Sequence, residues 1–281
     1  MNGSGVPLLF SIMPDKQKQI LLTNDDGIRS PGLWAAAEAL AHLGYVTVAA
    51  PREQSSGMGR SLPGNSDGRI QIETLTVHGQ EWRVHAVGGS PAQAVLHGVL
   101  EIMSAPPDLV VSGINYGENI GTGVTISGTV GAALEAASLG IPALAVSLQT
   151  DQRYHLSYSR EVDFSAAAHF TSFFGKFLLD KQFPTDVQVL KLEVPSNASP
   201  ETDWEIARLS RQRYYDPVQA KRESWEAEGT VGYREAAAPE DEPADTDLFV
   251  VRKKRRVAVT PLSLDLTSRV DLADLDRLLR K

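Results

Sequence analysis

Apolar positions along the chain fall into short unbroken runs separated by stretches with helical spacing, and their alternation predicts an α/β fold with a mostly parallel sheet. The first run, Ile20-Leu21-Leu22, stops abruptly at Thr23-Asn24-Asp25-Asp26-Gly27. A continuous apolar run has no polar face, so it predicts a strand buried on both sides. Its carboxyl end opens into a loop, where open α/β sheets bind ligands. Ser30-Pro31-Gly32 then supplies an N-cap and a proline at the first helical position, and Leu33, Ala37 and Leu40 recur at helical spacing as far as Gly44. Residues 45–50, ended by Pro51, complete a strand-helix-strand unit.

The pattern continues in the same way. Ile70, Ile72, Leu75 and Val77, a break at His78-Gly79, then Trp82, Val84 and Ala86 predict a β-hairpin covering part of the sheet. Gly88-Gly89-Ser90-Pro91 opens a second helix with Val95, Leu96, Val99, Leu100 and Met103 on one face, stopped by Pro106-Pro107. Residues 108–112 predict a buried strand released into a glycine-rich loop from Gly113 to Gly123. So long a loop costs conformational entropy and is better explained by backbone that must approach a ligand. Ser127-Gly128-Thr129 starts a third helix, with Val130, Ala133, Leu134 and Ala137 on one face and Gly140 as its stop. Residues 142–147 read as another buried strand, Phe164, Phe170, Phe173, Phe174, Phe177 and Leu178 as an amphipathic helix with a core-facing aromatic stripe, and residues 187–194 and 204–209 as strands. Residues 222–247 are acidic and irregular and read as an exposed excursion, while the basic run Arg252 to Arg256 reads as a solvated strand or a subunit contact. Leu272, Leu275, Leu278 and Leu279 mark a short amphipathic helix. Residues 1–18 are expected to be a flexible extension, with Met13 an alternative natural start, and residues 19–281 one domain.

Composition narrows the function classes. A net charge of −8 over 281 residues lacks the positive field that a nucleic-acid polymer or membrane surface requires, so neither is an expected partner. A small phosphate ligand responds to local charge and remains open. With no cysteine there is no disulfide, thiolate metal site or thiol nucleophile, and a cytoplasmic setting is the expectation. No apolar run approaches the roughly 20 residues that span a bilayer, and residues 6–13 lack the preceding positive charge and following cleavage pattern of a signal peptide.

Candidate chemistry lies at the loop ends. Asp25 and Asp26 taken alone also fit a plain turn ending in Gly27. By topology the loop after the second strand lies beside them, and its Ser55, Ser56 and Ser61 offer hydroxyls to a metal or a phosphate, or simply form turns. The Ser127-Gly128-Thr129 helix start presents free N–H groups suited to a phosphate, with ordinary N-capping as the equal alternative. His85 and His97 have no partner at ligand spacing and read as structural. Familiar nucleotide motifs are missing. Gly123 to Thr129 has the outer glycines of a Walker A loop but Thr129 in place of its lysine, no Gly-x-Gly-x-x-Gly follows the first strand, and the acidic pair lacks the Asp-x-Asp spacing of haloacid-dehalogenase-type phosphatases.

Asn24-Asp25-Asp26-Gly27, Ser56-Gly57, Ser112-Gly113-Ile114-Asn115, Ser127-Gly128-Thr129-Val130, Thr260-Pro261-Leu262 and Asp265-Leu266-Thr267, in that order and spacing, closely resemble the survival protein E (SurE) family of 5′-nucleotidases. The resemblance is close over residues 19–148 and looser over 187–267. It implies a Rossmann-like domain, with residues 222–267 forming a protruding hairpin and a C-terminal segment exchanged between subunits of a dimer or tetramer. It also implies a metal-dependent phosphatase of nucleoside monophosphates, with Asp25, Asp26, Ser56 and Asn115 as ligands of one divalent ion per subunit. Asn24, Gly57, Gly113, Asn119, Ser127, Gly128 and Thr129 are expected around the phosphate and substrate. The sequence departs from the family where Arg52 follows Pro51, in place of an aspartate, and where Ser90 replaces a threonine before Pro91.

An all-oxygen shell of two carboxylates, an amide oxygen and a hydroxyl suits a hard ion such as Mg²⁺ or Mn²⁺. The expected reaction is metal-assisted hydrolysis, with one carboxylate as ligand and the other also orienting water; a nucleophilic aspartate is the alternative. Two other classes compete: a nucleotide sensor that binds through the same shell without turnover, and a structural oligomer built on the C-terminal basic segment.

Overall fold

The computed structural model describes residues 17–280. The expected extension therefore lies almost wholly outside the described residues, and Lys18 already belongs to the sheet, its carbonyl accepting the Tyr45 N–H at 2.8 Å. In chain order the fold runs β1 (Gln19–Thr23), α1 (Pro31–Leu40), β2 (Tyr45–Pro51), β3 (Ile70–Val77), β4 (Gln80–Val87), α2 (Pro91–His97), β5 (Leu109–Tyr116), α3 (Gly128–Ser138), β6 (Ala143–Leu148), α4 (Ser165–Asp180) and β7 (Val189–Val194). It continues through β8 (Trp204–Ile206), β9 (Tyr215–Val218), β10 (Gly232–Glu235), α5 (Asp247–Phe249), β11 (Val257–Leu262) and α6 (Leu272–Leu279).

Nine strands form one sheet in the order β3-β4-β2-β1-β5-β6-β7-β11-β8. From β4 to β7 every neighbouring pair is parallel, while β3 on β4 and β11 on β7 are antiparallel. The β3–β4 hairpin thus extends the sheet edge and does not cover a face, because β4 finds its backbone partners on β2. Alternate side chains of the central strands serve two cores. Ile20 and Leu22 pack with α1 and α4 on one face, and Leu21 packs with α2 and α3 on the other, which is why the run that encodes β1 has no polar position.

Helical register departs from expectation in two places. Past α2 the chain widens into a π-helical turn over Gly98–Ile102, which swings Leu100 off the predicted apolar face and leaves it 68% exposed. In α4 the aromatic stripe divides, with Phe170 and Phe174 buried and Phe173 and Phe177 exposed.

The C-terminal part differs more. The projecting antiparallel pair is β9 with β10, so the hairpin starts at Tyr215, ahead of the predicted excursion. Residues 257–262, expected within the protrusion, form β11 between β7 and β8 inside the main sheet. The basic run is not a strand, since Val250–Lys254 forms a helical turn and Arg255 takes a left-handed conformation. Its charges are used locally, Arg252 on Tyr214 and Glu235, Lys254 on Glu205, and Arg256 on Asp203 and Glu205. No α6 side chain is buried. Among the described residues no helix is long and apolar enough to cross a membrane.

Candidate active site

From β1 the chain passes to β2 on one side and later crosses back, from β4 through α2, to β5 on the other. That reversal opens a crevice beyond the carboxyl ends of β1 and β5. Asp25 and Asp26 stand at the end of β1, Ser56 and Gly57 in the loop after β2, and Asn115 near the end of β5. Backbone bonds tie these segments together: the Ser55 N–H donates to the Asp25 carbonyl at 2.7 Å, and the Gly59 N–H to the Ile126 carbonyl at 2.9 Å.

Both carboxylates are buried, Asp25 at 3% and Asp26 at 1% exposure. Asp25 accepts from the Thr129 hydroxyl. Asp26 accepts from the Tyr116 N–H and from Gln54 Nε2, each at 3.2 Å. Among the described residues no lysine, arginine or histidine forms an ion pair with either. Burial pushes the Asp25 carboxyl above its ordinary value, against the opposing hydrogen bonds at the start of α3. Burial raises Asp26 further, helped by the neighbouring Asp25 charge. Two adjacent buried carboxylates without a counter-cation are costly, and a divalent ion removes that cost.

The neutral donors fit the same ion. Asn115 spends its amide nitrogen on the Tyr116 and Gly117 carbonyls, at 3.3 and 2.7 Å, which leaves Oδ1 as its free end. Ser56, not Ser55, lines the cavity; Ser55 turns its hydroxyl to the Glu53 carbonyl. Gln54 Nε2 holds Ser56 Oγ at 3.2 Å while also reaching Asp26 and the His155 carbonyl, the last at 2.7 Å. Among the described residues no three histidine or acidic side chains gather as a metal cluster, so an ion here depends on the acidic pair completed by neutral oxygens.

A cavity of about 670 Å³ opens from this point. Of the residues expected around the phosphate, Gly57, Asn119 and Ser127 line it. The others sit behind the surface. Asn24 is fully buried and closes its own turn, exchanging two 3.1 Å hydrogen bonds with Gly27. Gly113 is enclosed within β5, where a Cβ would meet the Val146 carbonyl oxygen at 2.4 Å. Gly128 and Thr129 hold Asp25, and the Val130 N–H is taken by Ser127 Oγ, so the start of α3 positions a carboxylate and is not an open anion cradle. The glycine-rich loop has a similar correction. A Cβ on Gly117 would strike the His155 ring and one on Gly121 the Gln212 carbonyl oxygen, so protein contacts demand these glycines, and both hold positive φ.

Five contributing residues carry no local motif: Gln54 in the second loop, which bonds Asp26 and Ser56, and, along the cavity, His155 and Leu156 after β6 with Tyr215 and Tyr233 of the β9–β10 hairpin. His85 bonds the Val48 carbonyl and His97 bonds Glu101, both away from the cavity.

A family profile described as survival protein SurE matches residues 20–216. This chain belongs to the SurE family. It is 38% identical over 273 residues to the 5′-nucleotidase SurE of Methanosarcina mazei, covering 93% of this chain and 97% of that one. With the 5′-nucleotidase SurE of Thermococcus gammatolerans the identity is 39% over 262 residues, covering 93% and 96%. The crystal structure of the SurE protein from Aquifex aeolicus superposes with a TM-score of 0.71 at 31% identity, over 93% of this chain and 99% of that chain.

Proposed function

We propose that this chain is a divalent-metal-dependent 5′-nucleotidase that hydrolyses nucleoside 5′-monophosphates to nucleoside and phosphate. The observation that carries the reading is the Asp25–Asp26 pair, two buried carboxylates with no basic partner among the described residues, at the crevice between β1 and β5. The names of the SurE relatives support the reaction class. Asp25, Asp26, Ser56 Oγ and Asn115 Oδ1 would hold Mg²⁺ or Mn²⁺, one ion per subunit. When bound, that ion supplies neutralisation of phosphoryl charge and acidification of a coordinated water.

The chain's own contribution is positioning. Thr129 fixes one oxygen of Asp25, and the Tyr116 N–H and Gln54 hold the two oxygens of Asp26, so both carboxylates are pre-oriented. Ser127 and Asn119 present polar groups along the cavity wall where a phosphate enters. In this reading Asp26 would accept the proton of an attacking water.

The test is phosphate release from nucleoside 5′-monophosphates, with 3′-monophosphates and short polyphosphate to measure breadth, in Mg²⁺, Mn²⁺ or EDTA. Asp26→Asn should lower turnover by at least about a hundredfold, since even outer partners of a metal site are worth 10–100-fold. Release that persists in EDTA, or in Asp26→Asn, overturns the metal-centred reading. Saturable nucleotide binding without any release would make the protein a sensor.

Self-association belongs to the same proposal. The segment after β11 ends in α6, whose Leu272, Leu275, Leu278 and Leu279 remain in solvent, and a second copy of this chain is the partner we assign to them, in a dimer or tetramer.

A further inference from the structure

The proposed chemistry uses only one end of the cavity. That chemistry draws on Asp25, Ser56, Asn115 and Ser127, whereas the rest of the wall sets aromatic and aliphatic side chains among a few polar ones, Arg213 included. Ile126, Leu156 and Val231 all line the cavity and are 56%, 71% and 62% exposed, so apolar surface is left facing solvent around a polar site. Such a patch at a cavity mouth marks a ligand surface.

Three rings form the centre of this wall. His155 and Tyr233 lie nearly parallel, 14° apart with centroids at 6.1 Å, and Tyr215 stands edge-on to both. Each is held from behind. The Tyr215 hydroxyl donates to Glu118 Oε2 at 3.2 Å, while Glu118 Oε1 takes the Tyr214 hydroxyl and Gln149 Nε2. The Tyr233 hydroxyl meets His155 Nδ1 at 3.2 Å, and the Tyr233 carbonyl accepts from Gln152 Nε2 at 2.8 Å. Burial keeps the His155 imidazole below its ordinary pKa, against the charge of Glu118, so this ring is uncharged around pH 7. The wall is therefore pre-organised.

We propose that the β9–β10 hairpin, through Tyr233 backed by His155 and Tyr215, is the nucleobase-recognition wall of the enzyme. The inference rests on the nucleotidase reading above and adds to it the residues that tell a nucleotide from a simple phosphate monoester. A ligand matching this cavity carries an anion at one end and a flat apolar ring at the other. Every base offers a π-face, so the wall selects for the presence of a base more than for its identity. Inorganic polyphosphate gains nothing from it.

The experiment compares Tyr233→Ala and Tyr233→Phe with the wild type on adenosine 5′-monophosphate and on ribose 5-phosphate, which keeps the phosphate and sugar and lacks the base. Loss of one stacking partner should lower kcat/KM for the nucleotide by about tenfold. The loss should fall on KM, with ribose 5-phosphate changed by no more than about twofold. Tyr233→Phe keeps the ring and should preserve the preference. An equal fall for both substrates would reduce Tyr233 to a brace for the His155 loop and overturn the inference. So would an unchanged preference. If the wild type releases phosphate from neither substrate, the nucleotidase reading fails by itself, and calorimetric binding of adenosine to wild type and Tyr233→Ala then decides the wall: binding lost in the variant supports it, and binding absent or equal overturns it.

Discussion

The fully buried lysine at the back of the cavity provides a quantitative test of how its floor is held. Lys191 on β7 is 0% exposed and donates to the Asn119 carbonyl at 3.0 Å, Glu193 Oε1 at 3.0 Å and Asp247 Oδ2 at 3.1 Å. The same carboxylates accept backbone N–H groups of Asn119 and Gly121, each at 3.0 Å, and Asp247 also takes that of Ser210 at 2.8 Å. One charge thus fixes the cavity loop and the segment leading to the hairpin. Lys191→Met keeps much of the volume and leaves two buried carboxylates without their cation, a loss of about 3–5 kcal/mol. At roughly 2–4 °C per kcal/mol for a chain of this class, the midpoint should fall by about 10 °C.

The pH dependence follows from Glu193. Burial raises its carboxyl from 4.5 to about 7 despite Lys191. The folded state therefore holds this proton more tightly than the unfolded one, and stability declines as pH rises from 4.5 through 7. Removing Lys191 raises the carboxyl further, so the variant should lose more at pH 8 than at pH 5.5. Urea unfolding at the two values reads the difference. A variant as stable as the wild type, or one penalised more at pH 5.5, would refute the buried-cation account.

Two further outcomes are expected. Gly32→Ala and Gly131→Ala place a Cβ 2.1 Å from the Ile114 carbonyl oxygen and 2.2 Å from that of Gly59, so each should cost at least about 1–3 kcal/mol in denaturant unfolding; Gly123→Ala, with no neighbour within 4 Å, should stay within about 0.5 kcal/mol. Removal of residues 268–281 should lower the number of subunits per particle measured by sedimentation while leaving the monomer fold intact by circular dichroism, because none of the described residues removed is buried; an unchanged subunit number would place the contact elsewhere.

Legibility in the sequence followed the range of the interactions. The β1 run, the Ser30-Pro31 and Ser90-Pro91 helix starts and the acidic pair are local signals, written within a few residues, and the structure has a strand, two helices and two buried carboxylates there. Ser127 also caps as its type requires. The reading failed where the partner of a local signal is distant. The donors at the start of α3 look free in sequence because Asp25 lies about a hundred residues away, yet it occupies them. Gly117 and Gly121 read as room for a ligand because the His155 ring and the Gln212 carbonyl that crowd them come from other segments.

The aromatic wall is the extreme case. His155 follows β6, whereas Tyr215 and Tyr233 lie on the two strands of the β9–β10 hairpin, and each tyrosine alone reads as ordinary hairpin surface. Only the fold makes them one surface, since Glu118, which lines the cavity, accepts from Tyr214 and Tyr215 and so ties the hairpin to the loop that follows Asn115 and the end of β5. The acidic pair and the aromatic wall are thus joined through the short segment from Tyr116, whose N–H holds Asp26, to Glu118, which holds both tyrosines. Mutations in Glu118 should therefore disturb both the chemistry and the choice of substrate, whereas those in Tyr233 should disturb the choice alone.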